Sequence, residues 1–283
     1  MPDPVTYTAV LPTSRATVQH IAALLLRHRL QVGTRTGRRV LGVFAHAVLI
    51  CRFLLDATRI THLARDNAMG VSTAYRYVHE ALDVLAAQAP GLRPALLAAH
   101  AAGHTHVNLD GTLISTNRVA VQGPTLRRGR RSRRRVDLWW SGKHRRHGGN
   151  IQVVTAPDGW PIWVSPVRPG REHDTRCART HAGLLPALVE FSAAGHTVLA
   201  DLGYEGERAR LTCPHKAPSD RDLNIEERTF NRVHAYVRAR AEQGNAWLKN
   251  YRALQKVSLC PWRIGTITAA VLVVLHLEHH RTT

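Results

Sequence analysis

Three acidic positions carry the chemistry that this sequence can perform. Asp110 closes the apolar run HVNLD and is followed by Gly111 and Thr112, while Asp201 closes HTVLAD and is followed by Leu202, Gly203 and Tyr204. In open α/β sheets, sites form beyond the carboxyl ends of strands, where side chains from neighbouring strands converge. Two carboxylates meeting there repel each other unless a divalent cation lies between them. The third acid is Glu242, in a helical stretch that also holds Arg238, Asn245 and Lys249. At about 100° per residue, all four fall on one face of a continuous helix. A carboxylate flanked by a guanidinium and an ammonium suits a metal ligand beside a bound phosphodiester. Ordinary ion pairing of Arg238 with Glu242 accounts for the same spacing. Each acid alone reads as structural; their order and context together read as a site.

The charge balance sets these acids apart. The chain has 283 residues, with 39 Lys and Arg against 20 Asp and Glu, a formal charge of +19. Such an excess points to a polyanionic partner, and nucleic acid is the commonest. Arg dominates the bases, and a GC-rich genome explains part of that skew. It does not explain the clustering, because seven arginines crowd into RRGRRSRRR: Arg127, Arg128, Arg130, Arg131, Arg133, Arg134 and Arg135. A block of this kind repels itself and reads as a loop that grips phosphate backbone without choosing a sequence. Trp139 and Trp140, followed by Lys143, Arg145 and Arg146, suit stacking on an unpaired base, or equally a pair of core aromatics at a strand edge.

The elements that must position these groups follow from periodicity. Residues 13–100 read as helices, with Ile21, Leu24, Leu25 and His28, then Val40, Phe44, Ala47 and Val48, at helical spacing. Around THLARDNAMGVSTAYRYVHEALDVL, a short helix meets a turn at Gly70, and Ser72 is placed to cap a second helix. That helix turns Thr73, Tyr75, Arg76 and His79 outward, and Ala74, Val78, Leu82 and Leu85 inward. This is the pattern of a helix-turn-helix, or of an ordinary helical hairpin. Beyond Gly103 the texture becomes that of strands, at 104–111, 113–120, 150–156, 160–167 and 196–201, with a turn at Asp158-Gly159. Helices are expected over 173–192 and 226–250, with a buried apolar helix near the end. The expectation is an all-helical domain over 1–102 and an α/β domain over 103–283.

The four cysteines (Cys51, Cys177, Cys213 and Cys260) form no CxxC pair. That spacing disfavours a zinc ribbon and suggests a reducing, intracellular setting. The start of the chain has no signal-peptide pattern, and the apolar run Ile264–Leu277 is too short to span a bilayer.

The motifs VNLDGTLI, WSGKHRRHGGNIQVV, PGREHD, VLADLGYEG and FNRVHAYVRARAEQGNAWLKN together resemble the insertion-sequence transposases of the DDE superfamily. The resemblance runs from about residue 36 to 282 and is strongest over 104–251. It implies a ribonuclease H-like mixed sheet with flanking helices, preceded by a helix-turn-helix domain. It also implies that Asp110, Asp201 and Glu242 hold two Mg²⁺, for which Mn²⁺ can substitute. Arg238 and Lys249 match the family's helix signature, Asp174 in PGREHD matches a recurrent acid that supports the site, and the usual Tyr is replaced by Ala235 with Tyr236 beside it. The implied protein is a bacterial, nucleoid-associated DNA transposase that cleaves and joins strands at its element's ends. Its partners are the terminal repeats and target DNA, with no membrane, and it works as a multimer on DNA. A non-catalytic DNA-binding relic or regulator is the alternative, and a host nuclease of the same fold a weaker one.

Overall fold

The computed structural model describes residues 10–35, 37–119, 121–128 and 132–283, with the backbone alone for 124–128 and 132–136. The chain divides into two compact units, residues 1–85 and 86–283.

The first unit is helical: α1 (Arg15–Gln31), α2 (Val43–Asp56), α3 (Ile60–Asp66) and α4 (Val71–Ala86). Ser14 caps α1 by accepting from the Thr17 amide at 3.1 Å. Ile21, Leu24 and Leu25 of α1 and Ala47, Leu49, Ile50 and Leu54 of α2 are buried. The inward row of α4 is as the periodicity predicts, with Ala74, Val78, Leu82 and Leu85 buried. Ser72 does not cap it. The helix already starts at Val71, with the Gly70 carbonyl accepting from the Ala74 amide, so Ser72 lies within the first turn.

The second unit opens with α5 (Leu92–Ala101) and then builds a mixed sheet. Its strands are β1 (His106–Ser115), β2 (Gln122–Arg128), β3 (Ser132–Asp137), β4 (Trp140–Ser141), β5 (Arg146–Thr155), β6 (Pro161–Val164), β7 (Arg168–Pro169) and β8 (Thr197–Ala200). Its later helices are α6 (Asp174–Thr180), α7 (Leu184–Ala193), α8 (Ile225–Arg238), α9 (Ala241–Lys249) and α10 (Ile264–His279). The main sheet runs β4-β5-β1-β8, with β6 and β7 also on β5. β1 is antiparallel to β5 and parallel to β8, so it is the central strand between neighbours of opposite sense. α10 is buried on most of its surface, in keeping with the apolar run Ala269–Leu275 at its centre. No described helix is long and apolar enough to cross a membrane.

Four expectations change. The two strands read over 104–111 and 113–120 are one, β1, because Gly111 and Thr112 continue the ladder opposite Gln152 and Ile151. The helix expected over 173–192 is two, α6 and α7, separated at 181–183. The helix expected over 226–250 also breaks, between Arg238 and Ala241. The basic block is not a plain loop. Its flanks pair as the antiparallel ribbon β2–β3, which satisfies backbone groups that a loop would leave to solvent. The Asp158-Gly159 turn stands as read: Gly159 takes φ +86° between β5 and β6, and Asp158 accepts from the Trp160 amide at 3.0 Å.

Candidate active site

The register of β1 against β8 places two of the acids. Leu109 pairs with Ala200, so the next residue on each parallel strand is an aspartate, Asp110 and Asp201. Asp201 also caps the 3₁₀ turn 202–207, its Oδ1 accepting from the Gly203 amide at 2.8 Å. Asp110 receives two donors from the helical layer. Arg238 Nη2 reaches its Oδ1 at 3.1 Å, and Asn245 Nδ2 reaches its Oδ2 at 2.7 Å. Burial pushes the Asp110 carboxyl up to about 6; Arg238 opposes the shift, and the Asp201 and Asp174 carboxylates add to it.

Asp174 is the third carboxylate at this place. It opens α6 and is 7% exposed. A side chain on Gly111, the residue after Asp110, would overlap Asp174 Oδ1, and a Cβ on Gly203 would lie 3.2 Å from its Oδ2. Both glycines that follow the paired acids therefore make room for this carboxylate. Asn150 Nδ2 donates to Asp174 Oδ1 at 2.7 Å, Gln152 Nε2 to Asn150 Oδ1 at 2.8 Å, and Tyr204 Oη to Gln152 Oε1 at 2.6 Å. All four residues are buried, and alternation along β5 puts Asn150 and Gln152 on one face. Burial, with Asp174, Asp110 and Asp201 nearby, holds the Tyr204 hydroxyl well above its ordinary pKa, so it stays a donor. This relay fixes the carboxylate in place.

The cations form the other side. Lys143 Nζ lies 3.5 Å from Asp174 Oδ2, with its side chain 62% exposed. The half-buried Lys249 has its pKa lowered by burial and by Arg146, against the pull of Asp110. Arg145 is exposed and takes φ +52° in the turn between β4 and β5.

Glu242 is the exception. It is exposed, and no hydrogen bond or ion pair reaches it among the described residues. The break before Ala241 interrupts the helix that would have carried Arg238 and Glu242 on one face. Within α9, Asn245 and Lys249 turn towards Asp110, while Glu242 stands in the first turn, facing solvent. Tyr236 is 83% exposed and takes no part. Sequence reasoning missed Asn150, Gln152 and Tyr204; the polar residues at alternate places in NIQVV were the available signal.

Of the DNA-contact candidates, Tyr75 and Arg76 are exposed on α4 and Thr73 is half-buried, its Oγ1 accepting from Arg76 Nη2 at 3.1 Å. Arg127, Arg128, Arg133, Arg134 and Arg135 fall on β2 and β3, with Arg127 opposite Arg133. Arg130 and Arg131 lie outside the described residues.

The oxygens present are of the kind a hard divalent cation takes: the carboxylates of Asp110, Asp201 and Asp174, and Asn245 Oδ1, which is buried and lacks a partner among the described residues. Among those residues, however, no three His, Cys, Asp or Glu side chains close into a metal-binding group. Arg238 and Asn245 hold the oxygens of Asp110, and Lys143 neutralises Asp174.

A mixed sheet with flanking helices sets Asp110 of β1 beside Asp201, which follows β8. The model of the DDE superfamily endonucleases matches residues 109–277, more than half of the chain, and the chain belongs to that family. It is also similar to a chain in the crystal structure of the Mos1 mariner paired end complex with Mn, at 12% identity over 83% of this chain and 98% of that one, with a TM-score of 0.22. A comparison with curated proteins finds no match.

Proposed function

We propose that the chain is a bacterial DNA transposase that cleaves and joins strands at the ends of an insertion sequence. One observation carries the reading: in a chain with a formal charge of +19, Asp201 just after β8 and the buried Asp174 at the start of α6 lie close enough to Asp110 within β1 to add to the rise that burial gives its pKa. Asp110 and Asp201 would hold two divalent cations, Mg²⁺ or Mn²⁺, with a third carboxylate from Asp174, which lies beside them, or from Glu242 of α9, which faces solvent. When bound, such cations stabilise the attacking and leaving oxygens of an in-line displacement. Arg238 and Lys249 hold the phosphates that flank the scissile bond. The Tyr204–Gln152–Asn150 relay keeps Asp174 aimed at the reacting phosphate. In the same reading α3 and α4 act as a helix-turn-helix that reads the terminal repeats through Thr73, Tyr75 and Arg76. The arginines of β2–β3, with Lys143 and Arg145, grip the backbone. The enzyme works as a multimer on DNA at the nucleoid.

A second reading has an observation of its own. The exposed Glu242 and the unclosed carboxylates favour a DNA-binding relic or regulator that does not cut. Incubation with DNA carrying the element's own termini, with and without Mg²⁺, separates the readings. Cutting with joining is expected; cutting without joining indicates a nuclease, and binding alone indicates the regulator. Asp174→Asn and Glu242→Gln then assign the third carboxylate, which is whichever one abolishes cleavage while DNA binding persists.

A further inference from the structure

The adjacent tryptophans have opposite fates. Trp139 is 1% exposed and packs edge-to-face on Trp262 with ring centroids 4.8 Å apart, whereas Trp140 is 42% exposed. Trp140 stands on β4 opposite His147 of β5, and the two rings meet at 5.0 Å and 68°. His147 is itself held by Asp137, its Nε2 lying 3.1 Å from Oδ2. The indole is thus braced from within its own hairpin while much of its surface faces solvent.

What surrounds it is positive and leads to the acids. The turn after Trp140 carries exposed Lys143, His144, Arg145 and Arg146. Lys143 reaches Asp174 at 3.5 Å, and Ser141 Oγ fixes the turn by accepting from the His144 amide at 3.3 Å. The carboxylates lie deeper, with the side chains of Asp110 and Asp174 only 15% and 9% exposed. A strand cut or joined at these carboxylates ends there and is free to part from its complement. A parted strand presents an unstacked base, and an exposed indole beside cations suits that base.

We propose that Trp140 is the stacking platform for an unpaired nucleobase next to the reacting phosphate, with Lys143, Arg145 and Arg146 holding the adjoining backbone. This rests on the DNA-processing reading above. The test is equilibrium binding by the full chain in EDTA, so that nothing is cut. One probe is a fully paired duplex; the other is the same duplex with a short single-stranded overhang carrying 2-aminopurine. The wild type is expected to favour the overhang and to quench its fluorescence. Trp140→Ala and Trp140→Leu are expected to weaken overhang binding about 5- to 150-fold, the range for one base on an aromatic ring, and to abolish quenching. Trp140→Phe is expected to retain most of both, and binding to the paired duplex should change less than twofold. Equal losses on both probes would make Trp140 a packing residue, and no loss on either would remove it from the interface; both outcomes overturn the proposal. A wild type that binds neither probe overturns the DNA reading itself.

Discussion

His46 in the helical unit and Asp110 in the sheet unit are both buried ionisable groups, and their surroundings differ. His46 is wholly buried, with Nε2 2.8 Å from the Tyr77 carbonyl and Nδ1 3.2 Å from Arg29 Nη2. With Nε2–H as donor and Nδ1 as acceptor, the neutral ring satisfies both. Burial holds its pKa down to about 4. Asp110 is pushed up to about 6 by burial and faces two further carboxylates, beside buried polar atoms of Arg238 and Asn245 that lack partners among the described residues. The first arrangement pairs both ring nitrogens of a neutral group, although Arg29 Nε beside it lacks a partner among the described residues. The second retains repulsion between carboxylates, as a site that receives a charged reactant does.

The largest test of that contrast removes one ionisable group from each unit. Asp110→Asn should cut DNA cleavage by at least about 10³-fold, because it removes several kcal/mol of charge stabilisation. It should leave DNA affinity equal or higher and raise the melting temperature. His46→Ala should do the reverse: it lowers the melting temperature by leaving the Arg29 guanidinium Nη2 without its partner, about 1–3 kcal/mol for such a group, and by emptying a buried place. If Asp110→Asn melts lower than the wild type, the carboxylate is a structural joint as well, and the contrast fails.

A smaller effect is expected at Gly111. Gly111→Ala keeps every ionisable group but drives Asp174 from its place, and displacement on that scale costs about 10²-fold in rate. Single-turnover cleavage measures it, and an unchanged rate would show that the position of Asp174 does not matter. In the helical unit, Arg76→Ala should leave the cleavage rate on bound DNA unaltered and lower the preference for terminal repeats over random DNA. Base-edge contacts of that kind are worth about 1–3 kcal/mol, read by competition binding. An unchanged preference would remove α4 from sequence recognition.

The smallest effects are pH slopes of opposite sign. The folded pKa of His46 is depressed, so its unfolded form takes up protons first and stability falls as pH drops from about 6.5 towards 4. The folded pKa of Asp110 is raised, so its contribution is fully present below the unfolded value of about 3.8 and is lost as pH rises through about 6. Melting in EDTA across this window should show one slope flattened by His46→Gln and the opposite one flattened by Asp110→Asn.

What the sequence discloses of this contrast follows from how local each feature is. The outward and inward faces of α4 depend on periodicity alone, and they are legible. So is the Asp158-Gly159 turn, and Asp201 follows its strand as read, whereas Asp110 lies inside β1 rather than at its end. The unity of β1 is not legible, because Gly111 looks like a break when it is in fact the clearance for Asp174. The gap between α8 and α9 is equally hidden. VRARAEQGNAWLKN is good helical sequence, but Gly244 packs tightly on Thr155 and the Gly159 carbonyl, and a Cβ on Gly159 would overlap the Arg240 carbonyl. Tertiary contact with the β5–β6 turn decides where the helix restarts, and with it the exposure of Glu242. The Asn150–Gln152–Tyr204 relay joins residues far apart in sequence and needs the fold to be seen.

In the proposed reading, the carboxylates of Asp110 and Asp201 bind a divalent cation. Calorimetric titration of Mn²⁺ into the full chain, beside the Asp110→Asn/Asp201→Asn double variant, tests it directly. The wild type should bind saturably and the double variant not at all, with the variant melting at the same temperature or higher in EDTA. Equal Mn²⁺ binding by both proteins, or none by either, would contradict it.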